Sequence, residues 1–297
     1  MGYLRAALAE KWALRTRIAA DRGPFRDLRL TAALILSYRR RGDPHWLRHF
    51  GIQVSAEAHG ITRLRLPGGL TLFAPPLTLA PEEILVDGAF PSPAAETLGH
   101  FLTVSYADQY EACRALAPGD TVLDLGANVG AFTLLASRLV GPAGRVLAVE
   151  PIAANLACLD RMIAANKLAN VEVIPAAVGD HDGEITITLD PRCGGHSAKK
   201  HSSTVSVQAP LRTVDSLLAE RSAQPRFLKA DVEGMEAEVL LGARRTLAGG
   251  KPRLALSAYH LAGDAERLPA LIRSLRSDYQ VEVRQLHPML EPVVMAR

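Results

Sequence analysis

Apolar and polar positions are most clearly patterned between residues 121 and 150. Thr121, Val122, Leu123 and Leu125 form a β-prone run broken only by Asp124, which predicts a short buried strand. Gly126-Ala127-Asn128-Val129-Gly130 then turns the chain, and apolar spacing over residues 132–140 predicts a helix. Gly141-Pro142 and Gly144 end that helix, and residues 145–149 read as a second strand closed by Glu150 and Pro151. Strand, crossover helix and strand make a right-handed βαβ unit, which puts the glycine turn at the carboxyl edge of a parallel sheet.

The same alternation continues downstream. Helices are predicted over 153–167, 212–220, 235–247 and 265–275, and strands over 171–178, 226–230, 254–259, 279–284 and 292–295. Residues 184–189 and 204–207 alternate as antiparallel strands around the loop 190–203, which holds Cys193, Gly194, Gly195, His196 and His201. That loop matches no metal-ligand spacing, so no metal is expected there. The order fits a doubly wound α/β sheet. Upstream, helices are predicted over 3–20 and 28–38, a hairpin over 61–73 around Pro67-Gly68-Gly69, and an irregular proline-rich stretch over 74–93. A helix over 94–116 carries Tyr106, Tyr110 and Glu111 toward the pocket, or simply into packing. Two regions result: an accessory part over 1–95, which caps the active site or joins copies into an oligomer, and a ligand-binding domain over 96–297.

The glycine turn and Glu150 bear on the ligand. Gly126 and Gly130 let backbone approach a ligand closely, and Glu150 stands where such folds accept both hydrogen bonds of a ribose diol. A ribose-containing ligand is expected. A dinucleotide fingerprint needs a middle glycine, where this chain has Asn128, and Asp124 would repel a pyrophosphate while helping to hold a cationic amino acid moiety. A nicotinamide-dependent oxidoreductase is the first alternative, opposed by those two residues. A catalytically silent binding protein is the second.

Composition narrows the setting. The 297 residues are 48% hydrophobic and 22% charged, enough for a full core and unlike a disordered chain. Cys113, Cys158 and Cys193 form no C-x-x-C pair, so no disulfide framework is expected and a reducing cytoplasm fits best. No signal peptide and no membrane span is expected. The net charge of +3 hides eleven Lys/Arg against four Asp/Glu in residues 1–50. That basic region is either a solvated face or a contact for an anionic surface. A nucleic-acid substrate is not expected, because no N-P-P-Y or Pro-Cys motif occurs and basic residues do not interleave with aromatics.

D-L-G-A-N-V-G-A-F followed by V-E-P resembles the first two motifs of class I S-adenosylmethionine-dependent methyltransferases. With N-K-L-A-N-V and K-A-D-V-E-G-M-E-A-E-V-L-L-G-A, residues 100–297 resemble the FkbM family. The resemblance implies a Rossmann-like methyltransferase sheet, S-adenosylmethionine as cofactor, and O-methylation of a hydroxylated small molecule such as a polyketide or sugar. It implies cofactor contacts from Asp124, Gly126, Ala127, Asn128 and Gly130, and from Phe132, Glu150, Pro151 and Ala177. Many relatives carry a glutamate two residues before the strand-end histidine, where this chain has Ala258.

An alcohol acceptor is a poor nucleophile until its proton leaves, which calls for a base near the sulfonium methyl. Asp231 and His260, at the ends of neighbouring predicted strands, are the catalytic candidates: His260 takes the proton, and Asp231 orients substrate or cofactor. Their structural alternatives are an N-cap for Asp231 and a strand-end cap bonded to backbone for His260. Asp231, Glu233 and His260 are ligand types open to Mg²⁺, but a metal is not expected to be needed.

Overall fold

The computed structural model describes residues 48, 51–66, 69–76, 97–101, 104, 110, 115–189, 197–199, 205–285 and 291–297. The helices expected over 3–20 and 28–38, Tyr106, Glu111, and the loop residues Cys193, His196 and His201 lie outside them. Residues 97–101 and 104, inside the span expected as a helix over 94–116, are helical. Among the described residues no helix is long and apolar enough to cross a membrane.

The central sheet has seven strands, built mainly from β4 (Thr121–Leu125), β5 (Arg145–Val149), β6 (Val171–Ile174), β10 (Phe227–Ala230) and β11 (Arg253–Ser257). With β12 (Val281–Arg284) and β13 (Val293–Ala296) the order is β12-β13-β11-β10-β4-β5-β6. β13 runs antiparallel to both of its neighbours, and the β6-β5-β4-β10-β11 pairings are parallel. Within this sheet the path begins at β4, winds outward through β5 and β6, then returns to β4's other side with β10. The sheet order therefore reverses between β4 and β10, the place where open α/β folds leave a crevice for ligands.

Strands of this sheet are apolar at successive positions because both faces are covered. Val122, Val146, Ala148 and Phe227 pack on one face with α1 (Ala131–Val140) and α2 (Ala153–Asn166). Leu123, Leu147, Val149 and Leu228 pack on the other with α3 (Val214–Glu220), α4 (Glu236–Leu241), α5 (Arg244–Gly250) and α6 (Asp264–Leu275).

Two expected elements are divided. The strand expected over 171–178 stops at Ile174, because Pro175 has no N–H for a ladder, and β7 (Ala177–Val178) joins a different sheet. That sheet, β7-β9-β8, pairs β7 with β9 (Ser206–Arg212) and β9 with β8 (Gly183–Thr188). The helix expected over 235–247 breaks at Gly242, whose carbonyl accepts from Asp215 N at 2.9 Å. The Asp215 carboxylate then accepts from Arg245 N and Thr246 N, each at 2.8 Å, so α3 satisfies the free amides that open α5.

The expected hairpin is present as β2 (Thr62–Arg65) and β3 (Thr71–Ala74), extended by β1 (Gln53–Ala56). This sheet is docked on α2. Asn166 at the end of α2 donates from Nδ2 to Thr71 O at 2.7 Å and accepts from Thr71 N at 3.1 Å. Leu64, Leu72 and Phe73 share one apolar cluster with Phe132 and Met162.

The centre of the main sheet holds one ion pair. Asp124 and Lys229 are register partners on β4 and β10, and Lys229 Nζ lies 3.0 Å from Asp124 Oδ1. Their side chains are 0% and 1% exposed. Lys229 also donates to Leu125 O at 3.2 Å and Gly126 O at 2.7 Å, and Thr133 Oγ1 donates to Asp124 Oδ2 at 2.5 Å. Removing one member of such a pair leaves an uncompensated buried charge, a loss of about 3–5 kcal/mol. Lys229→Met is expected to lose about that much in chemical denaturation, and Lys229→Met with Asp124→Leu is expected to recover part of it. A single-variant loss below about 1 kcal/mol, the range of an exposed pair, would contradict this arrangement.

Candidate active site

The turn after β4 is folded back on the end of β5. Gly126 N and Ala127 N both donate to Val149 O at 3.0 Å, and Gly130 N donates to Ala127 O at 2.9 Å. Gly126 has φ +71°, and a Cβ there would lie 1.9 Å from the Asp231 carbonyl oxygen. Gly130 has φ +94°, and a Cβ there would lie 2.3 Å from Met162 Cε. Gly126 is therefore required by a close backbone approach and Gly130 by its left-handed φ, whatever they also allow a ligand. Asn128, at φ +51°, donates its backbone N–H to Glu150 Oε2 at 2.9 Å.

Glu150 is 4% exposed and held from three sides. Besides Asn128 N, its Oε1 accepts from Ile152 N at 3.0 Å and Asn155 Nδ2 at 3.1 Å. Burial raises its pKa, and the bonds from Ile152, Asn155 and Asn128 pull the other way without cancelling the effect. A carboxylate offers about four acceptor positions, so three donors leave room on Oε2 for one more hydroxyl. A diol using both oxygens has to share one of the present donors' places.

The other expected cofactor residues divide between this edge and the interior. Pro151 follows Glu150 and is half-buried. Ala127 is 2% exposed within the turn. Asp124 does not reach the turn's surface: its carboxylate faces Lys229 and Thr133 in the core, so its charge acts on the turn through Lys229. Phe132 is a core residue, stacked on Phe227 at 5.9 Å and edge-on to Tyr110 at 5.4 Å. Ala177 sits in β7 and packs with Ile152, Ile187 and Ala209.

Asp231 follows β10 directly, and its backbone N–H donates to Leu125 O at 3.1 Å. Its side chain does not cap α4, whose N-cap residue is Met235 without a side-chain cap bond. Instead Tyr110 OH donates to Asp231 Oδ2 at 2.9 Å and Tyr259 OH to Oδ1 at 3.3 Å. Burial alone would raise the Asp231 pKa, but the charges of Lys229 and His260 override it and hold the carboxyl well below the usual range.

His260 is 6% exposed, three residues past the end of β11. Its Nδ1 lies 2.8 Å from Glu236 Oε1, and its Nε2 lies 3.5 Å from both Asp231 Oδ1 and Glu233 Oε2. Burial lowers its pKa; the Glu236 bond and the charges of Asp231, Glu236 and Glu233 outweigh that and push it up to about 9. Glu236 also accepts from Val232 N at 3.0 Å on the same Oε1, tying the first turn of α4 to the preceding loop. Glu233 at φ +54° and Gly234 at φ +101° bend that loop back toward His260.

The structure thus brings the turn, Glu150, Asp231 and His260 to one sheet edge. Tyr110, expected either toward the pocket or in packing, does both, meeting Asp231 and Phe132; Lys229, Tyr259 and Glu236 join the edge without having been placed by sequence reasoning. Lys229 left a signal: a lysine inside an otherwise apolar buried strand needs an internal anion.

A model of the FkbM methyltransferase domain matches residues 124–287, more than half of the chain. A stretch of 69 residues is 38% identical to arsenite methyltransferase of Halobacterium salinarum, covering 23% of this chain and 18% of that protein. Among solved structures, a methyltransferase FkbM from Methylobacillus flagellatus aligns at 24% identity and TM-score 0.47, over 68% of this chain and 54% of that one. Fibrillarin of Aeropyrum pernix, solved with natively bound S-adenosyl-L-methionine, aligns at 15% identity and TM-score 0.43, over 83% and 99%. The chain thus spans about a fifth of that curated relative and about half of the solved FkbM chain. On the domain match, this chain belongs to the FkbM methyltransferase family, whose cofactor is S-adenosylmethionine.

Proposed function

We propose that the chain transfers the methyl group of S-adenosylmethionine to a hydroxyl oxygen of a small-molecule acceptor. The observation that carries this reading is the contact between the glycine turn and the start of the Asp231 loop. A side chain at Gly126 would strike the Asp231 carbonyl, so cofactor edge and proton-handling edge are one crevice. Glu150 supplies a fixed acceptor for the ribose, and the first turn of α1 supplies the helix N–H groups that face a ligand at such a turn.

At the acceptor end, three carboxylates, two phenols and an imidazole cluster together. That inventory suits a nucleophile that carries a proton, which an alcohol has and must lose. The sulfonium methyl is already activated, so aligning the oxygen with it and excluding water do most of the remaining work. Asp231, locked by Tyr110 and Tyr259, orients the acceptor; His260, locked by Glu236, completes the same wall. The arsenite methyltransferase match spans too little of either chain to carry its acceptor over.

Two predictions follow from this arrangement. In calorimetric titration the chain binds S-adenosylmethionine and S-adenosylhomocysteine but not NAD. Glu150→Ala weakens both by about 10- to 150-fold, the range for hydrogen bonds to a charged group. Because burial raises the Glu150 pKa, acid protonates it sooner than an ordinary glutamate, so wild-type affinity falls on acidification earlier than a free carboxyl would dictate. Binding of NAD alone would overturn the cofactor assignment. On a panel of hydroxylated acceptors, Asp231→Asn and His260→Gln are each expected to lower transfer by about 10²- to 10⁴-fold while S-adenosylmethionine affinity stays within about twofold. Full turnover in both variants would contradict the acceptor assignment.

A further inference from the structure

Among the described residues one aromatic side chain breaks the pattern of burial. Phe73, Phe101, Tyr110, Phe132, Phe227 and Tyr279 are buried, the most exposed of them at 4%, whereas Tyr259 is 37% exposed. A ring left in water forgoes much of the stabilisation that burying an aromatic brings. This ring is nonetheless held. Its hydroxyl donates to Asp231 Oδ1 at 3.3 Å, and its centroid lies 4.2 Å from that of His260, with the two rings tilted by 47°. His260 is itself buried and bonded to Glu236 at 2.8 Å, so the tyrosine rests on a fixed support. The result is an apolar wall beside the acceptor-end carboxylate.

The charges that act on this wall share one sign. Burial raises the Tyr259 pKa, and the charges of Asp231, Glu233 and Glu291 raise it further, which keeps the phenol protonated as a donor to Asp231. A ligand carrying its own carboxylate or phosphate against the ring would meet the same three like charges.

We propose that Tyr259 is a specificity residue for the acceptor: a flat ring without negative charge lies on its exposed face while a hydroxyl of that ligand reaches toward Asp231. This rests on the acceptor end assigned above and narrows the acceptor class. Aromatic rings and the C–H face of a sugar both offer the flat, apolar surface that a tyrosine face takes. Open-chain alcohols do not. The hydroxyl and the ring of Tyr259 then have separate roles, the first holding Asp231 and the second bearing the ligand.

Substitution separates those roles. Tyr259→Phe removes the bond to Asp231 and keeps the ring, and Tyr259→Leu removes both. The full chain loaded with S-adenosylhomocysteine is titrated by saturation-transfer NMR with para-cresol, para-hydroxybenzoate, methyl glucoside, methyl glucuronide and glycerol. One of the two neutral rings is expected to bind tightest, and which one tells an aromatic acceptor from a sugar. Its carboxylate counterpart is expected to bind about 10-fold more weakly or worse, and glycerol also less tightly. Tyr259→Leu is expected to weaken the favoured ring by about 2- to 10-fold, and Tyr259→Phe by less than about twofold.

Equal losses in the two variants would reduce Tyr259 to a tether for Asp231 and overturn the proposal. Binding of neither neutral ring, or carboxylates bound as tightly as their neutral counterparts, would overturn it as well. Circular dichroism checks the fold of the variants, and the comparison among the five probes needs no variant. Ring binding without methyl transfer to any hydroxylated acceptor would count against the proposed function alone. Methyl transfer with the acceptor KM unchanged in Tyr259→Leu would count against the aromatic platform alone.

Discussion

The Asp124–Lys229 pair is the constraint on which the crevice depends. It joins β4 to β10 at the point where strand order reverses, and it does so on the face that α1 and α2 cover. A lone charge there would be intolerable, and a lone ammonium would be as bad. Lys229 uses its other N–H donors on Leu125 O and Gly126 O, which are the last strand residue and the first residue of the turn. The position of the turn is thus set from inside the sheet. Its amides are then fixed by Val149 and Glu150 from the neighbouring strand, and Gly126 presses on the Asp231 carbonyl.

Electrostatics at the edge follow from the same frame. Lys229 lowers the Asp231 pKa from below, while Glu236, Asp231 and Glu233 raise that of His260 from the side. A polar cluster this dry needs partners for every atom, and most have them. Tyr110 is one: it spans from Phe132 in the core to Asp231 at the sheet edge, joining the apolar cluster to the Asp231–His260 cluster.

Much of this was legible in the chain. The apolar runs at 121–125 and 145–149, the glycine turn and the strand-end acids Glu150 and Asp231 have local signatures, because a strand covered on both faces and a sharp turn each restrict composition over a few residues. What was not legible depends on register. That Asp124 meets Lys229 instead of a ligand follows only once β10 is placed beside β4, 105 residues away in sequence. The resemblance implies a cofactor contact from Phe132, whereas helical rotation turns its ring inward onto Phe227. Glu236 was hidden for the same reason, since its meeting with His260 spans two elements. The break at Pro175 was written in the sequence and follows from proline's missing N–H.

The most direct test of the account is a crystal structure of the full chain with S-adenosylhomocysteine bound. The account predicts the ribose against Glu150, the amino acid end at the turn, and the sulfur directed toward the space between Asp231 and His260. A cofactor bound away from Glu150, or one whose sulfur points away from Asp231 and His260, would contradict it.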